Sequence, residues 1–193
     1  MATPRLSIAF PIPKSVIARL QAFQDSWAVP GVLWTDPAQL QLGLLSLGSL
    51  PLNDWIAICR CVQKVALDTP PLELQFSGMG GFPNLRRPKS LHVVTVDRTG
   101  GLAKLHRTLT DRLFDAGLHQ PENRGYVPHL SLGRVPASSN TEAIAVEAMK
   151  QEQYDFGKMI AAEVSIFSTE VKRGTVQRET IGHYPLDGEF ECP

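Results

Sequence analysis

The residues best suited to chemistry lie in Tyr126-Val127-Pro128-His129-Leu130-Ser131-Leu132-Gly133-Arg134. On an extended strand Pro128, Leu130 and Leu132 share one face, and His129 and Ser131 share the other, about 7 Å apart along the chain. An imidazole exchanges a proton near neutral pH, and a serine hydroxyl can bond a phosphate oxygen. Arg134 at the strand end adds a charge-assisted contact to an anion. The segment therefore has the make-up of a catalytic or binding half-site for a phosphodiester. Three residues alone would also fit a surface histidine on a half-buried strand.

An earlier segment, Gln39 to Leu47, has the same layout: Leu40, Leu42 and Leu44 alternate with Gln39, Gln41 and Gly43. Gln41 and Gly43 thus occupy the positions that His129 and Ser131 occupy in the later strand. Among the other histidines, His92 alternates with Leu91 and Val93 on a strand and is the first alternative proton carrier, with His183 behind it. His106 and His119, on or just after a helix, are expected to face solvent. Tyr126 is a further proton donor or stacking platform, although edge packing is its simpler role. Arg86 and Arg87 form a small basic pair suited either to a solvated turn or to RNA backbone phosphates. Trp27, Trp34 and Trp55 read as packing aromatics, with Trp34 placed to flank a cleft.

Several classes of function are disfavoured. The chain has 193 residues, with 19 Lys plus Arg against 19 Asp plus Glu. That zero balance argues against a general nucleic-acid coat, while leaving room for a small basic cleft. Ser77 to Gly81 lacks the Gly-Lys-Ser/Thr ending of a phosphate loop, so no nucleotide cofactor is expected. Cys59, Cys61 and Cys192 lack metal-ligand spacing; no metal is expected, and the thiols read as reduced. No apolar run reaches the roughly 18 residues of a membrane span. These readings point to a cytoplasmic protein.

The elements that must position these residues can be read from periodicity. Strands are expected at Arg5–Ile12, Gln39–Leu47, Leu72–Phe76, Leu91–Val96 and Tyr126–Val135. A closing pair, Ala162–Glu170 and Thr175–Pro185, joins around Arg173-Gly174. Helices are expected at Lys14–Ser26, at Asn53–Ala66 with Asn53 as cap, at Gly101–Ala116 ended by Gly117, and at Thr141–Gln153 capped by Asn140 or Thr141. Ser77–Asn84 reads as a glycine-rich turn. Strands and helices mix without strict alternation, which favours an α+β fold with antiparallel sheets. No long polar linker divides residues 1–193, so a single unit is expected.

The paired strands resemble the two-histidine phosphoesterase superfamily, and within it the RNA 2′,3′-cyclic phosphodiesterases also called 2′-5′ RNA ligases. The resemblance spans nearly the whole chain. It runs through Arg5–Phe10, through Trp34 with Pro37 and Leu40 to Gly48, and through Phe76–Pro83 with Arg87-Pro88. It continues through Pro128–Arg134 and ends at Ile166-Phe167-Ser168 with Gly174. It implies a two-lobed, pseudo-symmetric pair of antiparallel sheets around a central cleft, with helices outside. One lobe would supply Gln41 and Gly43, the other His129 and Ser131. The implied reaction opens a cyclic phosphate to a 2′-phosphate with one histidine as base and one as acid, without a metal. Here glutamine and glycine replace the first His-x-Thr. The expectation is therefore weakened or altered catalysis, with His129 as acid/base, Gln41 positioning water or the ribose oxygen, and Ser131, Arg134 and Gly43 at the phosphate. The substrate would be an RNA end or a small cyclic-phosphate nucleotide, and the protein a monomer. The alternative is a non-catalytic binder of phosphorylated ends on the same fold, or a partner-binding domain that keeps only the fold.

Overall fold

A computed structural model describes residues 4–121, 125–172 and 175–189. Its strands form two antiparallel sheets. The four-stranded sheet runs β3 (Gln41–Ser49), β1 (Arg5–Pro11), β8 (Glu163–Lys172), β9 (Thr175–Pro185). The five-stranded sheet runs β2 (Leu33–Trp34), β6 (His129–Arg134), β5 (Ser90–Val96), β4 (Leu72–Phe82), β7 (Asp155–Ala161). Helices α1 (Lys14–Ser26) and α4 (Thr141–Lys150) pack on the five-stranded sheet through β7 and β4. Helices α2 (Leu52–Leu67) and α3 (Gly101–Asp115) pack together against the four-stranded sheet. This is the two-lobed α+β architecture expected from the sequence.

Each element buries the face its periodicity prescribes. In α3, Leu102, Leu105, Leu109 and Leu113 fall on one side and are buried. In α1 the buried apolar set is Val16, Leu20 and Phe23. Gly117 takes φ 70° beyond α3, and the Leu118 N–H returns to the Leu113 carbonyl at 2.8 Å, closing the helix. Asn140 caps α4 by accepting from the Ala143 N–H at 3.1 Å. No helix of the described residues is long and apolar enough to cross a membrane.

Four expectations are corrected. Helix α2 begins at Leu52 behind Pro51, with no side-chain cap, so Asn53 lies inside it; proline's fixed φ suits a helix start. The glycine-rich run is strand: β4 continues to Phe82 after a register shift at Ser77 and Gly78. Gly78 takes φ 77° there, and a Cβ on it would meet the Glu152 carbonyl, so glycine serves a bulge and not a turn. Helix α4 stops at Lys150, and residues 155–161 form β7. Gly157, at φ 104°, interrupts the alternation that would have revealed that strand. Finally, β6 starts at His129, three residues later than expected. The joint at Arg173-Gly174 and Cys192 lie outside the described residues.

Candidate active site

The two motif strands share a backbone device that strict alternation does not reveal. Along β3, Gly43 pairs with Ala9 but Leu45 pairs with Ile8, so Leu44 is an extra residue. Along β6, Ser131 pairs with His92 but Gly133 pairs with Leu91, so Leu132 is extra. Each bulge falls immediately after the third residue of its motif. A bulge reverses the parity of the residues beyond it. Leu44 and Leu45 are consequently both buried, as are Leu132 and Gly133, and Ser46 and Arg134 emerge on the motif face. Gly133 is required at its bulge, because a Cβ would lie 2.7 Å from the Leu33 carbonyl oxygen.

On the five-stranded sheet the face then reads in rows across the strands. Val94 stands opposite His129, Gly80 and His92 stand beside Ser131, and Phe82 and Ser90 lead to Arg134. On the four-stranded sheet Pro11 stands opposite Gln41, and Ala9 lies between Gly43 and Ser165. The lobes meet where β3 and β6 touch. Tyr126, just before β6, donates its hydroxyl to the Gly43 carbonyl at 3.0 Å. The contact between lobes thus joins the strand of Gln41 and Gly43 to the strand of His129, Ser131 and Arg134.

The His129 ring is oriented by its own strand entry. Nδ1 lies 2.7 Å from the Val127 carbonyl oxygen. A carbonyl only accepts, so Nδ1 carries the proton and Nε2 of the neutral ring offers its lone pair. Phe82 meets this ring edge-to-face at 4.9 Å and stacks on His92 at 4.4 Å. Phe82 is the site residue that sequence reasoning missed. Once β4 is known to continue, counting two residues on from Gly80 finds it.

None of the alternative proton carriers stands in for the first histidine. His92 reaches the site, 5.0 Å from His129 between ring centroids, but it is 7% exposed. Burial, reinforced by the positive charge His129 can carry, pushes its pKa down to about 4. It is therefore neutral at physiological pH, and it sits in the lobe of His129 and not that of Gln41. His183 lies on β9, three strands and about 14 Å across the sheet from β3. Its Nδ1 is held by the Ser165 hydroxyl at 2.9 Å. Tyr126 holds its proton tightly, because burial and then the Asp97 carboxylate raise its pKa. His106, expected in solvent, stacks on the Tyr126 ring at 4.1 Å and 7°. Trp34 packs edge-on to Phe23 and Trp27 and pairs with Gly133 of β6.

Gln41 offers an acceptor where the first histidine would stand. Its Oε1 is buried and has no hydrogen-bond partner among the described residues. Gly43 is exposed, with no atom within 4 Å of an added Cβ, and its φ lies outside the left-handed range. Arg86 and Arg87 line a separate concavity that shares Arg134 with the motif face.

Comparison with known proteins agrees with this fold. The model of the 2′-5′ RNA ligase superfamily matches residues 47–173, which contain His129, Ser131 and Arg134 and begin after Gly43. An RNA 2′,3′-cyclic phosphodiesterase of Methanocaldococcus jannaschii is 21% identical over 165 residues, covering 86% of this chain and 91% of that one. One of Methanothermobacter thermautotrophicus is 32% identical over 118 residues, 58% of this chain and 61% of that one. Among solved structures, TT0787 of Thermus thermophilus superposes with a TM-score of 0.79 at 22% identity, covering 96% of this chain and all of that one. E. coli LigT complexed with 3′-AMP superposes with a TM-score of 0.76 at 18% identity, covering 96% and 99%. With the family model matching more than half of its residues, the chain belongs to the 2′-5′ RNA ligase superfamily.

Proposed function

We propose that this protein is an RNA 2′,3′-cyclic phosphodiesterase-like hydrolase that opens a terminal cyclic phosphate to a 2′-phosphate, slowed by the absence of a second motif histidine. The observation that carries this reading is that His129, Ser131 and Arg134 share one face of β6, the strand through which this lobe contacts β3, the strand of Gln41. The relatives' names and the 3′-AMP complex of a structural neighbour support the substrate class.

Each residue has a role set by its atoms. Arg134 and the Ser131 hydroxyl hold the phosphate oxygens. His129 Nε2 takes a proton from the attacking water as the new O–P bond forms and the bond from phosphorus to the 3′ oxygen breaks. Gln41 Oε1, an acceptor without a partner, orients the water or a ribose hydroxyl. Glutamine has no proton to exchange, so the departing 3′ oxygen takes its proton from solvent. Loss of one proton-transfer partner costs about 10²–10⁴ in rate. Residues 1–193 act here as one two-lobed unit, a cytoplasmic monomer that takes an RNA end or a small cyclic-phosphate nucleotide.

Gln41 and Gly43 themselves favour a second reading, in which the cleft binds phosphorylated ends without turnover. Incubation with a 2′,3′-cyclic-phosphate nucleotide separates the two. Slow formation of the 2′-phosphate by the natural protein and none by His129→Ala supports the hydrolase. Tight binding with no product in either supports the binder. Equal hydrolysis by both removes His129 from the reaction.

A further inference from the structure

Beside the catalytic face lies a second concavity, of about 860 Å³, lined by Arg86, Arg87, Lys89, Arg134, Val135 and Glu142 among others. That volume is in the range of a drug-sized ligand and exceeds what a single phosphate needs. Four cations face it against one carboxylate, although the whole chain carries no net charge. Among the described residues none of the four cationic side chains makes an ion pair or hydrogen bond. Unpaired cations gathered in one concavity focus a positive field, and they do so here without help from the net charge.

The walls are fixed by backbone. The Lys89 N–H donates to the Phe82 carbonyl at 2.7 Å, and the Val135 N–H donates to the Lys89 carbonyl at 2.9 Å. The Asn84 side-chain oxygen accepts from the N–H groups of Arg86 and Arg87 at 3.1 and 3.0 Å, which shapes the loop that carries both guanidiniums. The concavity is also continuous with the site. Arg134 belongs to both, and it stands opposite Ser90, which in turn pairs with Phe82.

We propose that this groove carries the RNA strand leading into the active site, its backbone phosphates resting on Arg86, Arg87 and Lys89. The inference rests on the hydrolase reading for its direction. A 2′,3′-cyclic phosphate is a 3′ end, so the chain in the groove is the 5′-adjacent stretch. Such contacts are indifferent to base sequence and weaken with salt. The protein is then selective for oligonucleotide ends over mononucleotides.

The test compares a 2′,3′-cyclic-phosphate mononucleotide with a six-residue oligoribonucleotide of the same 3′ end. Natural protein and Arg86→Glu/Arg87→Glu are measured at 50 and 200 mM salt. The natural protein is expected to show a KM at least about ten-fold lower for the oligomer, an advantage eroded by salt. The double variant is expected to lose that advantage while its mononucleotide kinetics stay unchanged. A parallel binding titration uses a fluorescent six-residue oligoribonucleotide ending in a 3′-phosphate, which needs no turnover. There the salt slope of log K becomes shallower by about 1.4 in the double variant. Equal KM for mononucleotide and oligomer, or an oligomer affinity that survives both charge reversals, overturns the groove. Absence of hydrolysis with intact groove-dependent binding overturns the hydrolase reading alone.

Discussion

The rings of His92 and His129 stand 5.0 Å apart at 62°, with Phe82 stacked on the first and edge-on to the second. His92 is buried, and its Nδ1 lacks a hydrogen-bond partner among the described residues. An imidazole so placed is held neutral, because charging it would require desolvation beside a second imidazole. Its pKa of about 4 lies below the ordinary 6.5. Between these values the unfolded chain binds more protons than the folded one, so folding stability rises with pH through that window. Stability is therefore fully present above about pH 6.5, is lost as pH falls toward 4, and changes no further from this source below that. The loss approaches about 3 kcal/mol. Denaturant titrations of the natural protein and His92→Phe between pH 7 and 4 should show the difference: the variant loses most of this slope.

Gly80 makes room for that ring. A Cβ at position 80 would overlap His92 Nε2. Gly80→Ala is expected to cost about 1–3 kcal/mol, as overpacking of a filled site does. In His92→Ala, where the obstacle is gone, the same substitution should cost little. A double-mutant cycle by urea denaturation reads the coupling; additive effects would show that the two residues do not share the space.

Tyr126 ties the lobes through the Gly43 carbonyl. Tyr126→Phe keeps the ring stacked on His106 and removes only the hydroxyl. The expected loss is about 1 kcal/mol of stability, the usual net value of one such bond. Thermal or urea unfolding measures it, and activity should persist, since this hydroxyl is a structural donor and transfers no proton in the reaction.

Much of the site could be read in the sequence because it depends on period-two alternation. Leu42 and Leu44 in one strand, and Leu130 and Leu132 in the other, bury one face and so place Gln41, Gly43, His129 and Ser131 on the opposite one. The bulges could not be read that way. Nothing in Leu44-Leu45 or Leu132-Gly133 announces an extra residue until the partner strand is present. By alternation alone Arg134 sits merely at a strand end, whereas parity reversal puts it on the face of His129 and Ser131. Phe82 is hidden for a related reason: the glycines of Gly78-Met79-Gly80-Gly81 suggest a turn, yet they serve a bulge, a histidine ring and a close approach by Pro88. The role of His92 depends on burial, which comes from the stacking of Phe82 and not from the strand's own pattern.

Gly43 has open space where a side chain would go, and Gln41 already presents its amide at the first motif position. Restoring the pair with Gln41→His and Gly43→Thr should therefore need no backbone change. The restored imidazole would supply the proton that glutamine cannot, raising turnover by about 10²–10⁴. The pH profile of the double variant should become bell-shaped as two groups titrate.

As proposed, the cleft hydrolyses a phosphodiester with one histidine. The most direct measurement is the initial rate of 2′-phosphate formation from a 2′,3′-cyclic-phosphate RNA end. Natural protein, His129→Ala and Gln41→His/Gly43→Thr should be compared side by side. A slow rate, no enzyme-dependent rate and a greatly raised rate are expected, in that order. A natural rate that His129→Ala leaves unchanged, together with a restored pair that gains nothing, would contradict the proposal.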